Sequence, residues 1–324
     1  MAGRALSLDA SSASAFAADV RNGLTKSGQK ELLSKYLYDE IGSKLFEVIS
    51  LLPEYGLTRA DERLLQRFAP DIADRLRGDT VVAELGSGNG GKTRSILEAF
   101  GCFRHTFYCP IEISPTALAT CRRDLADIES ISIVGFEREY LEGLSEVTAR
   151  RLAGQRILLL FLGSTIGNFD APADAQFLGE LRNLLNSGDA LLLGTDLMKP
   201  VDRLIRAYDD SLGVTAAFNL NLLERVNAEL LADFRLDAFE HAARFNTETR
   251  SIEMHLRSTR VQRVSVGLAG FSVTFREGET IWTEASHKYS LAEVDALAQR
   301  TGFRRQAQWV DAEWPFAETL LIAN

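Results

Sequence analysis

Four glycines stand within the six residues Gly86-Ser87-Gly88-Asn89-Gly90-Gly91, directly after Val81-Val82-Ala83-Glu84-Leu85 and directly before Lys92-Thr93. Glycine reaches backbone angles closed to other residues and lets the main chain touch a ligand without a side chain in the way. The apolar run before the turn is long enough for one buried parallel strand. Lys92-Thr93-Arg94 and the apolar Ile96-Leu97 open a helix behind it. Strand, glycine turn and helix together form the cradle of a nucleotide-type ligand in an open α/β sheet.

Two ligands compete for such a turn. Gly86 to Gly91 followed by Lys92-Thr93 satisfies the spacing G-x-x-x-x-G-K-[ST] of a phosphate loop. An acid just before the first glycine, as in Glu84-Leu85-Gly86-Ser87-Gly88, instead marks loops that hold S-adenosylmethionine. There the loop touches the methionine end and the acid handles charge. A phosphate loop also wants an apolar run ending in a magnesium-binding Asp. Here Leu158 to Leu162 ends in Gly163-Ser164, so the methyl donor is the stronger reading.

Three further places carry chemistry. Glu112 ends an apolar strand, where an acid can accept both ribose hydroxyls of a nucleoside. Glu139-Tyr140 follows the next strand, where an acid beside an aromatic can meet an adenine; Phe136-Glu137 is the competing pair. Phe161-Leu162-Gly163-Ser164-Thr165-Ile166-Gly167-Asn168 follows a fourth strand. An Asn on a glycine-flanked turn at that end of a sheet both donates and accepts, which suits an amine or a carboxylate. It also suits a turn that bonds its own backbone.

The elements that must position these residues alternate from residue 81 onward. Strands are expected at 81–83, 106–112, 131–136, 156–163 and 190–195, with helices over 115–127 and 173–185 between them. A helix over 291–300 stops at Gly302, and two strands, 303–310 and 318–323, close the chain as a hairpin. The fold class is therefore α/β, a Rossmann-like class I methyltransferase sheet. Two pieces do not fit the alternation. A helical arm precedes the first strand, with helices over 13–23, 44–52 and 59–68, the last capped by Thr58 with Glu62 answering. Residues 1 to 12, small and polar, read as a frayed arm. The stretch 197–286 reads as an insertion with helices at 200–208 and 217–231 and antiparallel-type strands at 251–258 and 262–266. Neither piece has much core alone, so the two are expected to form a composite α+β substrate-binding domain. The expected division is 61–196 with 287–324 for the methyl donor, and 13–60 with 197–286 for the substrate.

Composition narrows the classes. The chain has 324 residues, 46% hydrophobic and 25% charged, with a net charge of −9. That acidity argues against a nucleic-acid partner, which would want a basic face. Three cysteines and four scattered histidines lack metal-site spacing, so no metal is expected and a reducing cytoplasm is the expected location. The N-terminal stretch has no apolar core of signal-peptide length, and no run approaches the roughly 20 apolar residues of a membrane span. No obligatory protein partner is evident.

Longer motifs carry a resemblance over nearly the whole chain. Tyr38-Asp39, Leu52-Pro53-Glu54-Tyr55, Glu84 to Gly88, Phe161 to Asn168, Leu193 to Leu197, Arg206-Ala207-Tyr208-Asp209-Asp210, Gly213 to Asn219, Ile252-Glu253-Met254 and Thr283-Glu284-Ala285-Ser286 resemble the histidine Nα-methyltransferases of ergothioneine biosynthesis. The resemblance implies S-adenosylmethionine-dependent trimethylation of the α-amine of L-histidine to hercynine. It implies that Tyr55, Asn168 and Tyr208 surround the α-amine and α-carboxylate, with Tyr55 and Asn168 as the catalytic pair and Gly163 in the same substrate set. It implies that Glu284 and Ser286 hold the imidazole beside a wall that includes Met254, and that Tyr38, Gly86, Lys92, Glu112, Glu139 and Tyr140 serve the cofactor. Four positions depart from the family pattern: Glu112 stands where the family carries Asp, Glu139-Tyr140 where it carries Asp-Phe, and Gly56 where a second tyrosine follows Tyr55.

The chemistry agrees with the resemblance. Imidazole has two ring nitrogens; a carboxylate accepts one N–H and a hydroxyl serves the other nitrogen. Residues i and i+2 of a strand share a face, which by itself explains Glu284 and Ser286 equally well. A relative acting on another α-amino acid, such as a tryptophan derivative, is the alternative. Glu284 argues against it, since an indole offers one donor and no acceptor. A protein that senses histidine or the cofactor without turnover is the reading from outside the enzymes.

Overall fold

The computed structural model describes residues 10–169 and 172–324. In chain order the elements begin with α1 (Ala10–Leu24), β1 (Lys30–Glu31), α2 (Glu40–Leu51), α3 (Leu57–Arg75) and β2 (Thr80–Leu85). There follow α4 (Arg94–Gly101), β3 (Thr106–Ile111), α5 (Pro115–Asp124), β4 (Ile131–Ile133), α6 (Tyr140–Ala149), β5 (Arg156–Phe161), α7 (Ala173–Leu184) and β6 (Ala190–Asp196). The rest is α8 (Val201–Tyr208), α9 (Val214–Leu230), β7 (Phe239–Asn246), β8 (Ser251–Ser258), β9 (Gln262–Val266), β10 (Phe271–Phe275), β11 (Thr280–His287), α10 (Leu291–Arg300), β12 (Phe303–Val310) and β13 (Phe316–Ala323). The chain folds as two compact units. One takes the chain up to Gly56 together with Lys199–Ser286, the other Leu57–Met198 together with His287–Asn324.

The second of these, the sheet unit, is built on seven strands in the order β12-β13-β6-β5-β2-β3-β4. β4, β3, β2, β5 and β6 run parallel, and the closing hairpin joins antiparallel through β13 against β6. Every residue of β2 is buried, and Ile157 to Phe161 of β5 are fully so. Continuous apolar strands of this kind belong to a sheet covered on both faces. β2 lies between β3 and β5, so the strand order reverses there. The turns after β2, β3 and β5 all leave the sheet at its carboxyl edge, where open α/β sheets bind ligands. The α/β, Rossmann-like class is thus the observed one.

Several local expectations need correction. α3 begins at Leu57, which puts Thr58 inside the helix rather than at its cap, and it continues through Pro70 to Arg75. Proline removes a hydrogen bond to the carbonyl four residues earlier. Gln66 and Pro70 are both exposed, so water can take that carbonyl, while Leu64, Leu65, Ala69, Ile72 and Ala73 bury the opposite face. α6 was not expected at all. Its Gly143 depresses helix propensity, yet a Cβ there would lie 2.4 Å from Ile111 Cγ2, so glycine is what lets the helix press against β3. The arm expected over residues 1–12 lies outside the described residues up to residue 9; from Ala10 the backbone is helical.

The first-named, composite unit carries a four-stranded sheet ordered β1-β11-β8-β7 and a separate hairpin of β9 and β10. The two strands anticipated at 251–258 and 262–266 are not partners. β8 pairs with β7 and β9 with β10; β7 and β10 were not anticipated, and β11 only as a strand face shared by Glu284 and Ser286. Among these only β9 and β10 alternate buried and exposed residues cleanly. Asp39 starts α2 by accepting from Gly42 N at 2.7 Å, and it also accepts from Asn221 of α9 at 2.8 Å. Asp210 starts α9 by accepting from Thr215 N at 2.7 Å and Val214 N at 3.0 Å. A short acidic side chain satisfying first-turn N–H groups is what makes both helices begin where they do.

Candidate active site

The glycine turn is held open from behind. Gly86, Gly88 and Gly90 all adopt left-handed angles, with φ of 65°, 54° and 72°. A Cβ on Gly86 would sit 2.9 Å from the Tyr140 hydroxyl, and one on Gly90 2.7 Å from Cys121 Sγ. Gly88 faces open space. Its N–H donates to Glu112 Oε2 at 3.2 Å, while Glu112 Oε1 accepts from Ser114 N at 3.0 Å. Burial, helped by the Glu112 charge, pushes the Tyr140 hydroxyl up to about 12. Gly86, Glu112 and Tyr140 therefore converge around one turn. Ser87 is 8% exposed and its hydroxyl has no partner. An open glycine face, an unpartnered buried hydroxyl and a strand-end carboxylate fit S-adenosylmethionine, a polar nucleoside-bearing ligand.

The acid of the turn does something other than expected. Glu84 is buried, and its Oε2 accepts from Thr93 Oγ1 at 2.7 Å and from the Tyr108 hydroxyl. Its carboxyl is turned into the core, so it does not handle charge at the ligand as the motif suggests. Burial raises its pKa to about 7, against the two hydrogen bonds that lower it. The same contacts decide against a phosphate loop. Thr93, which would face a metal-bound phosphate, bonds Glu84 instead.

Of the competing adenine pairs, Tyr140 is the first residue of α6 and lies at the turn, whereas Glu139 is exposed and makes no capping bond. In the other pair Phe136 is buried and Glu137 exposed. The turn after β5 carries Gly163 and Asn168. Gly163 has a φ of 68° and donates its N–H to Asp61 Oδ2 at 3.1 Å. Ser164 is left-handed at 60° without being glycine, and its Oγ accepts from Asp196 N at 2.9 Å. A non-glycine residue held there marks a strained, over-determined turn. Gly167 passes the His287 backbone so closely that a Cβ would lie 2.9 Å from its carbonyl oxygen. These contacts fix the short 3-10 turn Thr165–Asn168 that presents Asn168.

In the composite unit Tyr55 and Tyr208 meet edge to face with ring centroids 5.9 Å apart. Tyr38 belongs to the same aromatic group through Phe46, at 5.5 Å, and packs equally close on Phe218. Glu284 and Ser286 are 6% and 4% exposed on β11. Met254 is buried on the neighbouring strand β8, and its carbonyl accepts from Thr283 Oγ1 at 3.0 Å. Sequence reasoning missed the residues behind this set. His241 Nε2 donates to the Tyr208 carbonyl at 2.8 Å, because its Nδ1 accepts from Asn219 Nδ2 at 2.9 Å. The Asn219 orientation follows from its second bond, to the His255 carbonyl at 3.1 Å. Burial keeps the His241 pKa below its ordinary value, although the Tyr208 bond works the other way. It missed Asp61 and Glu318 as well. Their only signal is an acid placed among apolar positions.

Among the described residues no cluster of His, Cys, Asp or Glu could hold a metal ion. Among them, too, no helix is long and apolar enough to cross a membrane. The fold and turn define a class I methyltransferase. The family model of histidine-specific, S-adenosylmethionine-dependent methyltransferases matches residues 16–323. The chain is 41% identical over 309 residues to the histidine N-alpha-methyltransferase of Mycobacterium tuberculosis (strain CDC 1551 / Oshkosh), covering 93% of each. It is 41% identical over 319 residues to that of Mycolicibacterium smegmatis, covering 96% of each. It is 27% identical to an L-tryptophan methyltransferase of Psilocybe serbica, covering 95% of this chain and 92% of that one. The chain belongs to the S-adenosylmethionine-dependent, histidine-specific methyltransferase family.

Proposed function

We propose that this enzyme transfers three methyl groups in succession to the α-amine of L-histidine, forming hercynine for ergothioneine biosynthesis. The observation that carries the histidine reading is the pair Glu284 and Ser286, a carboxylate and a hydroxyl buried on one face of β11 beside Met254. Two polar groups two residues apart can serve the two imidazole nitrogens. A side chain without those two nitrogens would make neither contact, which favours histidine over other side chains. Tyr55 and Tyr208, with Asn168, are assigned to the α-amine and α-carboxylate. Gly163 belongs to the Asn168 turn.

S-adenosylmethionine supplies a methyl on a sulfonium, open to in-line displacement. Gly86, Glu112 and Tyr140 would hold it, with Lys92, Tyr38 and Glu139 assigned to the same ligand. The protein's part is to aim the amine lone pair and keep it free of its proton. Tyr55 and Asn168 orient the amine, and water takes the proton. Anchoring the carboxylate lets the amine turn between transfers. We place the enzyme in a reducing cytoplasm, consistent with the free thiols of Cys102, Cys109 and Cys121, and acting without nucleic acid, membrane or obligatory protein partner.

The test is incubation with S-adenosylmethionine and each of the twenty amino acids, reading product masses. Histidine alone should gain three methyl masses. Methylation of tryptophan in preference to histidine would move the enzyme to the alternative substrate, and no methylated product would leave a binding protein.

A further inference from the structure

We propose that Asp61 is a positioning residue for the methyl donor, clamping Lys92 and the Gly163 turn to one another through a single carboxylate oxygen. Asp61 lies on α3 and is fully buried. Its Oδ2 accepts from Lys92 Nζ at 3.0 Å and from Gly163 N at 3.1 Å. These two donors come from the turns after β2 and β5, which are neighbouring strands. The two turns are also in close approach on their own account: a Cβ on Gly163 would lie 3.2 Å from Lys92 Nζ.

Lysine is a point charge on a flexible four-carbon stem, and it places an ammonium well only when something else fixes it. An ammonium has three N–H donors. Asp61 takes one and so leaves two for an anionic group such as the methionine carboxylate. The Lys92 side chain is 32% exposed, so it is not closed off behind Asp61.

The acids around the pair support this reading. Glu318 of β13 is buried, and burial together with the Asp61 charge holds its carboxyl well above the ordinary range. Glu84 on β2 is the other acid whose charge Lys92 feels most, and it is committed to Thr93 and Tyr108. Asp61 is therefore the acid in direct hydrogen-bond contact with Lys92. Without it, both Lys92 and the Gly163 amide lose their acceptor.

This inference rests on the assignment of Lys92 to the cofactor. The experiment is calorimetric titration of the full chain with S-adenosylhomocysteine, for wild type, Asp61→Asn, Lys92→Gln and the double variant. Asp61→Asn keeps the shape and an acceptor for Gly163 but removes the charge. Each single variant should weaken binding at least tenfold. The double should be no weaker than the worse single, because residues acting as one unit are not additive. Asp61→Ser gives the same reading should Asp61→Asn not fold. A double variant that loses the product of the two factors overturns the clamp, and so does an Asp61→Asn that binds as wild type. If Lys92→Gln alone binds as wild type, the cofactor assignment of Lys92 fails and the inference with it. If only Asp61→Asn is silent, the inference fails and the assignment stands.

Discussion

Two buried acids of the sheet unit and two histidines of the composite unit respond to pH in opposite directions. In the sheet unit Glu84 is raised to about 7 and Glu318 well above the carboxylate range, both by burial. In the composite unit His241 and His255 are held below the ordinary histidine value, again by burial. One physical cause, desolvation of the charged form, moves acids up and bases down. Burial thus favours the neutral form of Glu84, Glu318, His241 and His255.

The largest expected effect lies at the glycine turn. Gly86→Val puts a branched side chain at a left-handed φ of 65°, where even a Cβ lies 2.9 Å from the Tyr140 hydroxyl. Calorimetric S-adenosylmethionine binding should vanish. A folded variant that binds as wild type would remove this turn as the cradle.

Next in size is the acid beneath it. Glu84 binds a proton in the fold up to about pH 7 and releases it near 4.5 when unfolded. Stability from this group is therefore full below 4.5 and is lost as pH rises through 7. The span corresponds to about 3 kcal/mol. Urea unfolding of wild type minus Glu84→Gln, followed from pH 4.5 to 7, should fall across that window. A flat difference would show that the carboxyl is not desolvated.

The proposed substrate reader comes third. Glu284→Ala should cost histidine about 2 kcal/mol in kcat/KM, the scale of a charge-assisted hydrogen bond. Tryptophan and phenylalanine should gain relative to it, more so with Met254→Val. If histidine keeps its full advantage in both variants, β11 does not read the side chain. Glu112→Ala should weaken S-adenosylmethionine by about 1–2 kcal/mol, because it supplies acceptors and also steadies Gly88. A loss of histidine binding with the cofactor unchanged would place Glu112 with the wrong ligand.

The smallest effect should come from His241. Its pKa is depressed, so its stability contribution is present above about 6.5 and is lost as pH falls below that value. This is the reverse of Glu84. His241→Gln should flatten the acid side of the stability curve. If the acid slope is unchanged, the histidine signature of the composite unit belongs to His255 or to no single group.

Much of the sheet unit was legible from periodicity alone. Apolar runs such as Ile157 to Phe161, separated by glycine turns and helices, admit few arrangements other than a parallel sheet, because both faces must be covered. The glycine turn and Glu112 follow from position, since the carboxyl edge of such a sheet is where ligands bind. The composite unit was harder to read. β7 and β11 do not alternate cleanly, since their partners and not solvent decide which residues are buried. Tyr55 and Tyr208 lie far apart in sequence, and no local pattern says that their rings meet. Only the longer motifs pointed to them.

The sequence by itself determined the α/β class, the glycine turn and the carboxylate at the end of β3, because each depends on residues adjacent in the chain. The tertiary structure decided what those residues face. Glu84 reads as a ligand acid and is instead a buried partner of Thr93 and Tyr108. Asp61 reads as one more helix acid and instead joins Lys92 to Gly163. The physical reason is that a carboxyl group's role is set by its solvation and by the donors around it, and those come from segments distant in sequence.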